Sequence, residues 1–337
     1  MTEKKQETII KRPPVLFDQT QAILQVLKKQ IEGDLIVYWT SNNSNISSSD
    51  VTAFYKIVSQ GVASKRLNLF IKSDGGSGIS ALRIVNLLRT YYDEIIALVP
   101  LNCASAATML ALGADEIQMG PLAFLSAIDT SITHDLSPLD EKYNDLVSVS
   151  QNELDRVLKL WDNKKGAQDL NPYNELYRYI HPMVFGAVDR ASSLSIKLTT
   201  EILSYHLKDK DFIQRISGHL NSDYPSHSYP ITFRKAKEIG LNIQPIEKDI
   251  NTQLLHLNEL YSEMAQRAHS DYDQMNYHDN EILNFIETEG EQIYYQKDKD
   301  WHYLPDERRY VSTNDESSWR RTKRENGELV TTKFHIR

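Results

Sequence analysis

Residues Leu67 to Met119 hold two strand-to-helix turns in direct succession, an order that points to a parallel α/β sheet. The apolar run Leu67-Asn68-Leu69-Phe70-Ile71 stops at Ser73-Asp74-Gly75-Gly76-Ser77-Gly78, so a buried strand runs straight into a glycine-rich turn. Leu82, Val85 and Leu88 then recur at helical spacing, widened by Ile84 and Leu87, which predicts a helix packed on a sheet. A second strand, Ile95 to Val99, is closed by Pro100. The small residues Cys103 to Ala107 lead from it into the nearly uncharged helical segment Thr108 to Leu112. The pattern is strand, glycine turn, helix, strand, serine turn, helix.

In a parallel sheet both turns lie at the same border, because successive strands point the same way and each is followed by a helix. A Gly-Gly turn there offers backbone N–H groups unobstructed by side chains. A serine at a neighbouring helix start adds its own or the next N–H to hold an oxyanion. Those are two of the three parts that acyl transfer requires. Alone, Ser105 reads as an ordinary helix cap, and Gly75 and Gly76 as a tight turn.

Together, SDGGSG and CASAATMLALGADEI resemble the Clp-class serine peptidases, and more closely the serine dehydrogenase proteinase branch related to signal peptide peptidase A. The segments MGPLAFLSAIDTSI, Met119 to Ile132, and SHSYPITFRKAKEIGL, Ser226 to Leu241, extend the resemblance over roughly residues 23–246. The order and spacing of these motifs carry the likeness. It implies an α/β, ClpP/crotonase-like spiral of ββα units with Ser105 as nucleophile. The oxyanion hole is then expected from the N–H groups of Gly75 or Gly76 and of Ala106.

The resemblance leaves the general base open. Where Clp proteases place a histidine, this chain has Ala127, Ile128 and Asp129, and after Gly120 it has Pro121, Leu122 and Ala123. His227 falls where the third catalytic residue is expected, with Asp129 to orient it in a swapped arrangement. The serine-lysine chemistry of signal peptide peptidase A offers Lys159 instead, with Lys197 behind it; such a lysine has to lose its charge by burial. His181, before Pro182, reads as structural. A crotonase-like acyl-thioester enzyme using Gly75 or Gly76, and a catalytically degenerate scaffold, are the alternative functions.

Composition narrows the partners. The chain has 337 residues, 40% of them hydrophobic, enough for one large domain or a domain with appendages. Lys and Arg number 38 against 46 Asp and Glu, a net charge of -8 that argues against nucleic acid as the main partner. The single cysteine, Cys103, reads as a packed thiol and fits a reducing cytoplasm. No signal-peptide run opens the sequence, and Ile95 to Ala114, though uncharged, is interrupted by Pro100, Asn102, Ser105 and Thr108, so no membrane span is expected. No metal and no cofactor is expected, since the histidines lack ligand spacing and SDGGSG lacks a P-loop lysine. The expected substrate is an extended polypeptide.

Along the chain, residues 1–14 read as a disordered start and 15–250 as the peptidase domain. Thr20 to Ile31 predicts a helix, Leu35 to Trp39 a strand, and Ser48 or Ser49 with Asp50 the cap of the next helix. A helical arm covers about 139–207. It comprises an amphipathic segment from Leu146 to Trp161, a polar loop from Lys164 to Pro172, and a helix from Tyr173 to Leu207 interrupted at Pro182 and Gly186. By analogy with related peptidases this arm is expected to mediate a homo-oligomer; the alternative is a helical layer that closes the domain's own core, since an apolar face serves either purpose. Thr232 and Gly240 bracket a short helix ahead of a closing strand, Leu241 to Ile243. Residues 251–280 read as a helix from Leu254 to Ala268 and a polar linker. Residues 281–337 read as a small β-rich C-terminal appendage with a hairpin at Asn326-Gly327. Arg320, Arg321, Lys323 and Arg324 read as a solvated turn.

Overall fold

The computed structural model describes residues 9–140, 145–162 and 171–336. The start of the expected disordered tail and most of the polar loop from Lys164 to Pro172 lie outside the described residues. Helix α1 (Phe17–Gln30) leads to β1 (Asp34–Thr40), α2 (Ser48–Val58), β2 (Arg66–Lys72), α3 (Gly78–Tyr91) and β3 (Glu94–Val99). The short strand β4 (Asn102–Cys103), helix α4 (Ala106–Leu112), β5 (Glu116–Met119) and β6 (Phe124–Leu125) complete the stretch with the two turns. Strands β1, β2, β3 and β5 are mutually parallel, as two consecutive turns at one border require.

The strands read as unbroken apolar runs because both sheet faces are covered. Ile36 and Tyr38 of β1, Leu69 and Ile71 of β2, and Ala97 and Val99 of β3 join one core with α2, α3 and α4. The alternating Val37, Trp39, Phe70, Ile96 and Leu98 join a second core beneath α1 and a late helix. The cap of α2 falls one residue earlier than expected. Asp50 sits three residues after Ser47 and accepts the Ser47 N–H at 2.6 Å, the reach that a capping box demands.

Four short strands follow, β7 (Ser131–Ile132), β8 (Leu139–Asp140), β9 (Asp145–Leu146) and β10 (Val149–Ser150), and then α5 (Gln151–Asp162). The helical segment expected from Leu146 therefore begins five residues later. The long helix is divided into α6 (Pro172–Leu176) and α7 (Pro182–Ser204). Pro182 occupies the first turn of α7, where its missing N–H costs nothing, and Gly186 sits inside the helix without breaking it. Helices α8 (Lys210–Ser222) and α9 (Phe233–Glu238), strand β11 (Ile243–Pro245) on β5, and α10 (Lys248–Met264) close this part. No helix among the described residues is long and apolar enough to cross a membrane.

The C-terminal fifth departs most from expectation. Strands β12 (Ala268–Asp271), β13 (Asn276–Thr288), β14 (Glu291–Leu304), β15 (Arg309–Asp315), β16 (Ser318–Glu325) and β17 (Glu328–Phe334) join the main sheet. The junction is β13, which pairs antiparallel with β1 from Val37 opposite Glu287 to Thr40 opposite Asn284. Among the described residues the resulting sheet has eleven strands. Ile282, Phe285 and Tyr294 complete the second core, and Ile286, Ile293 and Trp319 the first, so these strands share the domain's cores. The stretch read as a linker is β12 and the start of β13. Its buried His278 and Asp279 meet Asp300 at 2.9 Å and Arg267 at 2.5 Å respectively, which is how so polar a segment can sit in a sheet. Arg320, Arg321, Lys323 and Arg324 lie on β16 and pair with Asp298, Glu291, Glu291 and Asp18, so they do not form a free turn. Asn326 and Gly327 take φ values of 51° and 88°, the hairpin geometry their dipeptide favours.

Candidate active site

The two turns meet. Ser73 bridges Cys103, with the Ser73 N–H donating to Asn102 O at 3.1 Å and the Ala104 N–H to Ser73 O at 3.0 Å. A Cβ on Gly75 would stand 2.7 Å from both Ala104 O and Ser105 Cβ, so the first glycine is the only residue that fits against the serine turn. On its other side the glycine turn pairs with Ile46, which donates to Gly75 O at 2.7 Å and accepts from the Ser77 N–H at 2.8 Å. Neighbouring residues of an extended segment direct their polar groups to opposite sides. With Gly75 O and Ser77 N turned toward Ile46, the Gly76 N–H and C=O face away from it.

Ser105 precedes α4 at φ 54° and ψ -121°, a backbone conformation that L-residues avoid, and its side chain makes no cap hydrogen bond. Backbone strain of this kind gathers at functional sites. Around it lies a cavity of about 430 Å³. Its walls include Asn45, Gly76, Ser105, Ala106, Asp129 and His227, with an apolar side made by Ile79, Met109, Ile128, Leu194 and Leu198.

Asp129 and His227 are 98 residues apart, and their side chains meet at 2.8 Å through His227 Nδ1. The contact is built by the chain on either side of it. Leu125 and Ile231 exchange two backbone hydrogen bonds, of 3.0 and 2.8 Å, and Ser195 of α7 donates to Ile128 O at 2.6 Å. Asp129 is nearly enclosed, with 9% of its side chain exposed, whereas half of the His227 side chain is open to solvent. The hydrogen bond to Asp129 raises the His227 pKa above its ordinary value of 6.5, against a smaller opposing effect of burial.

The Gly75 N–H donates to Ser73 Oγ at 3.2 Å, and the Ser105 N–H to Ser126 Oγ at 2.8 Å. The Gly76 and Ala106 N–H groups donate to no described residue. Of the two glycines, it is therefore Gly76 that keeps a free donor. Ser105 Oγ and His227 are not hydrogen-bonded to each other in this arrangement.

Lys159, on α5, and Lys197, on α7, are exposed, and neither lines the cavity. His181 caps α7, its Nδ1 accepting the Met183 N–H at 3.2 Å. Cys103 is buried with its thiol pKa pushed up by burial, and its Sγ lies 3.1 Å from Ala107 O. No group of three or more His, Cys, Asp or Glu side chains among the described residues is placed to hold a metal ion. The sequence reading passed over Ser73 and Ser126. Nothing in their immediate neighbours marks them, since each acts on a backbone group fixed only by the fold.

No protein-family model matches the chain. Over 206 residues it is 25% identical to an uncharacterized protein of Methanocaldococcus jannaschii, covering 60% of this chain and 61% of that one. A second uncharacterized protein of the same organism is 26% identical over 200 residues, covering 58% and 56%. The chain thus spans about three fifths of the length of the curated relatives it matches. Among solved structures it is similar to two of a membrane-bound stomatin-specific protease, one of them in complex with a substrate peptide. The similarity covers 71% of this chain and 88% and 84% of theirs, with TM-scores of 0.39 and 0.38 and 13% identity. A likeness at that score is too distant to argue from, and the functional reading rests on the residues themselves.

Proposed function

We propose that the chain is a serine hydrolase that cleaves peptide bonds through an acyl-enzyme on Ser105. The observation that carries this reading is the single cavity in which the strained Ser105 turn, two residues with unused N–H groups and a paired histidine and aspartate all stand. In the reaction Ser105 Oγ attacks the substrate carbonyl while His227 Nε2 takes its proton. Asp129 holds the Nδ1–H, fixing the tautomer and stabilising the imidazolium as it forms. The Gly76 and Ala106 N–H groups receive the developing oxyanion. Collapse expels the amine with the proton returned by His227, and water then releases the acyl group by the same route. Contact between Ser105 Oγ and His227 Nε2 is made when substrate fills the cavity, since such bonds tighten in the substrate complex. The free edge of Gly76 suits pairing with an extended peptide.

A fluorophosphonate probe tests the reading. Labelling is expected in the wild type, lost in Ser105→Ala and strongly reduced in His227→Ala; an intact fold that takes no label overturns it in favour of a scaffold or an acyl-thioester enzyme. Self-association through the arm is part of the same proposal, supported by the exposed Leu160, Tyr179 and Met183 there. A Tyr179→Glu/Met183→Glu variant is expected to lower the mass measured by light scattering, and an unchanged mass would refute that part.

A further inference from the structure

Two buried hydroxyls stand in equivalent relation to the two turns. Ser73 Oγ accepts the N–H of Gly75, the residue before Gly76, and Ser126 Oγ accepts the N–H of Ser105, the residue before Ala106. In each turn the N–H that would compete for an incoming oxygen is held back, and the next one along is left without a partner.

Both hydroxyls are themselves anchored. Ser73 is fully buried, and its Oγ also accepts from Thr40 Oγ1 at 2.9 Å, at the end of β1. Ser126 is 1% exposed; its Oγ donates to Ala127 O at 3.0 Å, and its own N–H donates to Thr108 Oγ1 at 3.0 Å. Thr108 Oγ1 in turn donates to Cys103 O at 2.8 Å, just ahead of the serine turn. The glycine turn is thus tied to the sheet through Thr40 and Ser73, and the serine turn to the β6 segment through Ser126 and Thr108.

We propose that Ser73 and Ser126 are positioning residues for the oxyanion hole: each fixes the peptide plane that precedes a donor and so sets the direction of the Gly76 or Ala106 N–H. The proposal rests on the hydrolase reading above. Backbone donors act on a transition state only when they are already aimed at the oxygen's final position, and a peptide plane free to swing loses that advantage. The Ser105 plane has the greater need, because its φ of 54° would relax if the Ser126 hydroxyl were absent.

The test uses the full chain and compares wild type, Ser73→Ala, Ser126→Ala, and Ser73→Thr and Ser126→Thr, which keep a hydroxyl. Steady-state hydrolysis of a peptide substrate, fluorophosphonate labelling, and binding of a peptide aldehyde that forms a tetrahedral adduct are measured together, with circular dichroism as the check on folding. The alanine variants are expected to keep KM and lose kcat by about tenfold to a hundredfold. Aldehyde affinity should fall by the same factor, with recovery in whichever threonine variant folds. A variant that only loosened the fold would raise KM and shift the melting curve without separating aldehyde from substrate binding. Wild-type labelling at Ser105 with unchanged kcat in both folded alanine variants overturns this proposal alone. If the alanine variants do not fold, an aldehyde affinity in the threonine variants no better than that for a matching alcohol, which forms no adduct, also overturns it. Absence of labelling in the folded wild type overturns the hydrolase reading and this proposal with it.

Discussion

Replacing Gly75 by alanine separates backbone strain from loss of the site. Gly75 stands at φ +107°, and an added Cβ would meet Ala104 O and Ser105 Cβ at 2.7 Å and Ala106 N at 3.0 Å. Gly61 supplies the control, at φ +113° with nothing within 4 Å of its would-be Cβ. Gly61→Ala carries the conformational strain alone, about 1 to 3 kcal/mol. Gly75→Ala adds an overpacking cost of similar size, for about 2 to 6 kcal/mol in all, because the opposing atoms are mostly backbone and cannot rotate away. Restoring ordinary carbon contact at about 3.5 Å moves the two turns apart by roughly 0.8 Å. A displacement near 1 Å costs on the order of a hundredfold in rate where attack geometry is tight. Urea unfolding gives the stability of each variant, and labelling by a fluorophosphonate, normalised to the folded fraction, gives the site. Gly61→Ala is expected to lose stability and label at the wild-type rate; Gly75→Ala is expected to lose about a hundredfold in labelling among molecules that are folded. Folded Gly75→Ala labelling as fast as wild type would refute the argument that the close approach of the two turns builds the site.

A base must be neutral to act, so hydrolysis should rise with pH along a limb whose midpoint lies above 6.5, and Asp129→Asn should move that midpoint down and lower the plateau; a midpoint unmoved in Asp129→Asn counts against the pairing. The same raised pKa means that the pair stabilises the fold below the unfolded value near 6.5 and that this contribution fades as pH climbs through the folded value. Urea midpoints of wild type and Asp129→Asn should therefore differ more at about pH 5.5 than at about pH 9. Ser105→Gly relieves the conformation at φ 54° and should raise stability by about 1 kcal/mol while abolishing labelling, and a destabilised variant would show that the turn is not strained. Lys159→Ala and Lys197→Ala should keep wild-type kcat, whereas a collapse of activity in either would restore a lysine base.

The alternation of apolar runs with glycine and serine turns was enough to reveal the parallel half of the sheet, because β1, β2 and β3 are each buried on both faces and each precedes its own helix. Residues 281–337 read as β-rich, but the β13 to β17 extension of the main sheet was not legible. Its pairing with β1 joins residues about 250 positions apart, and its buried polar groups, His278 and Asp279 among them, look like a solvated linker until their partners Asp300 and Arg267 are brought alongside. The same distinction runs through the site. Ser105 and the Gly75-Gly76 pair could be marked locally as a serine at a helix start and a glycine turn; their part in a site, with that of Ala106, came from the resemblance, and the choice of Gly76 over Gly75 waited on the hydrogen bonds. His227 could be named only as a position that a resemblance pointed to, and its contact with Asp129 depends on the Leu125 and Ile231 bridge.

What the sequence determined by itself is the succession of strands, turns and helices, since periodicity and turn chemistry act over a few neighbouring residues. Tertiary structure alone decided which N–H groups stay free, because Ser73 and Ser126 reach the turns only once the sheet has formed. Hydrogen bonds at 3 Å are specified by where separate segments come to rest, and no local pattern encodes that position.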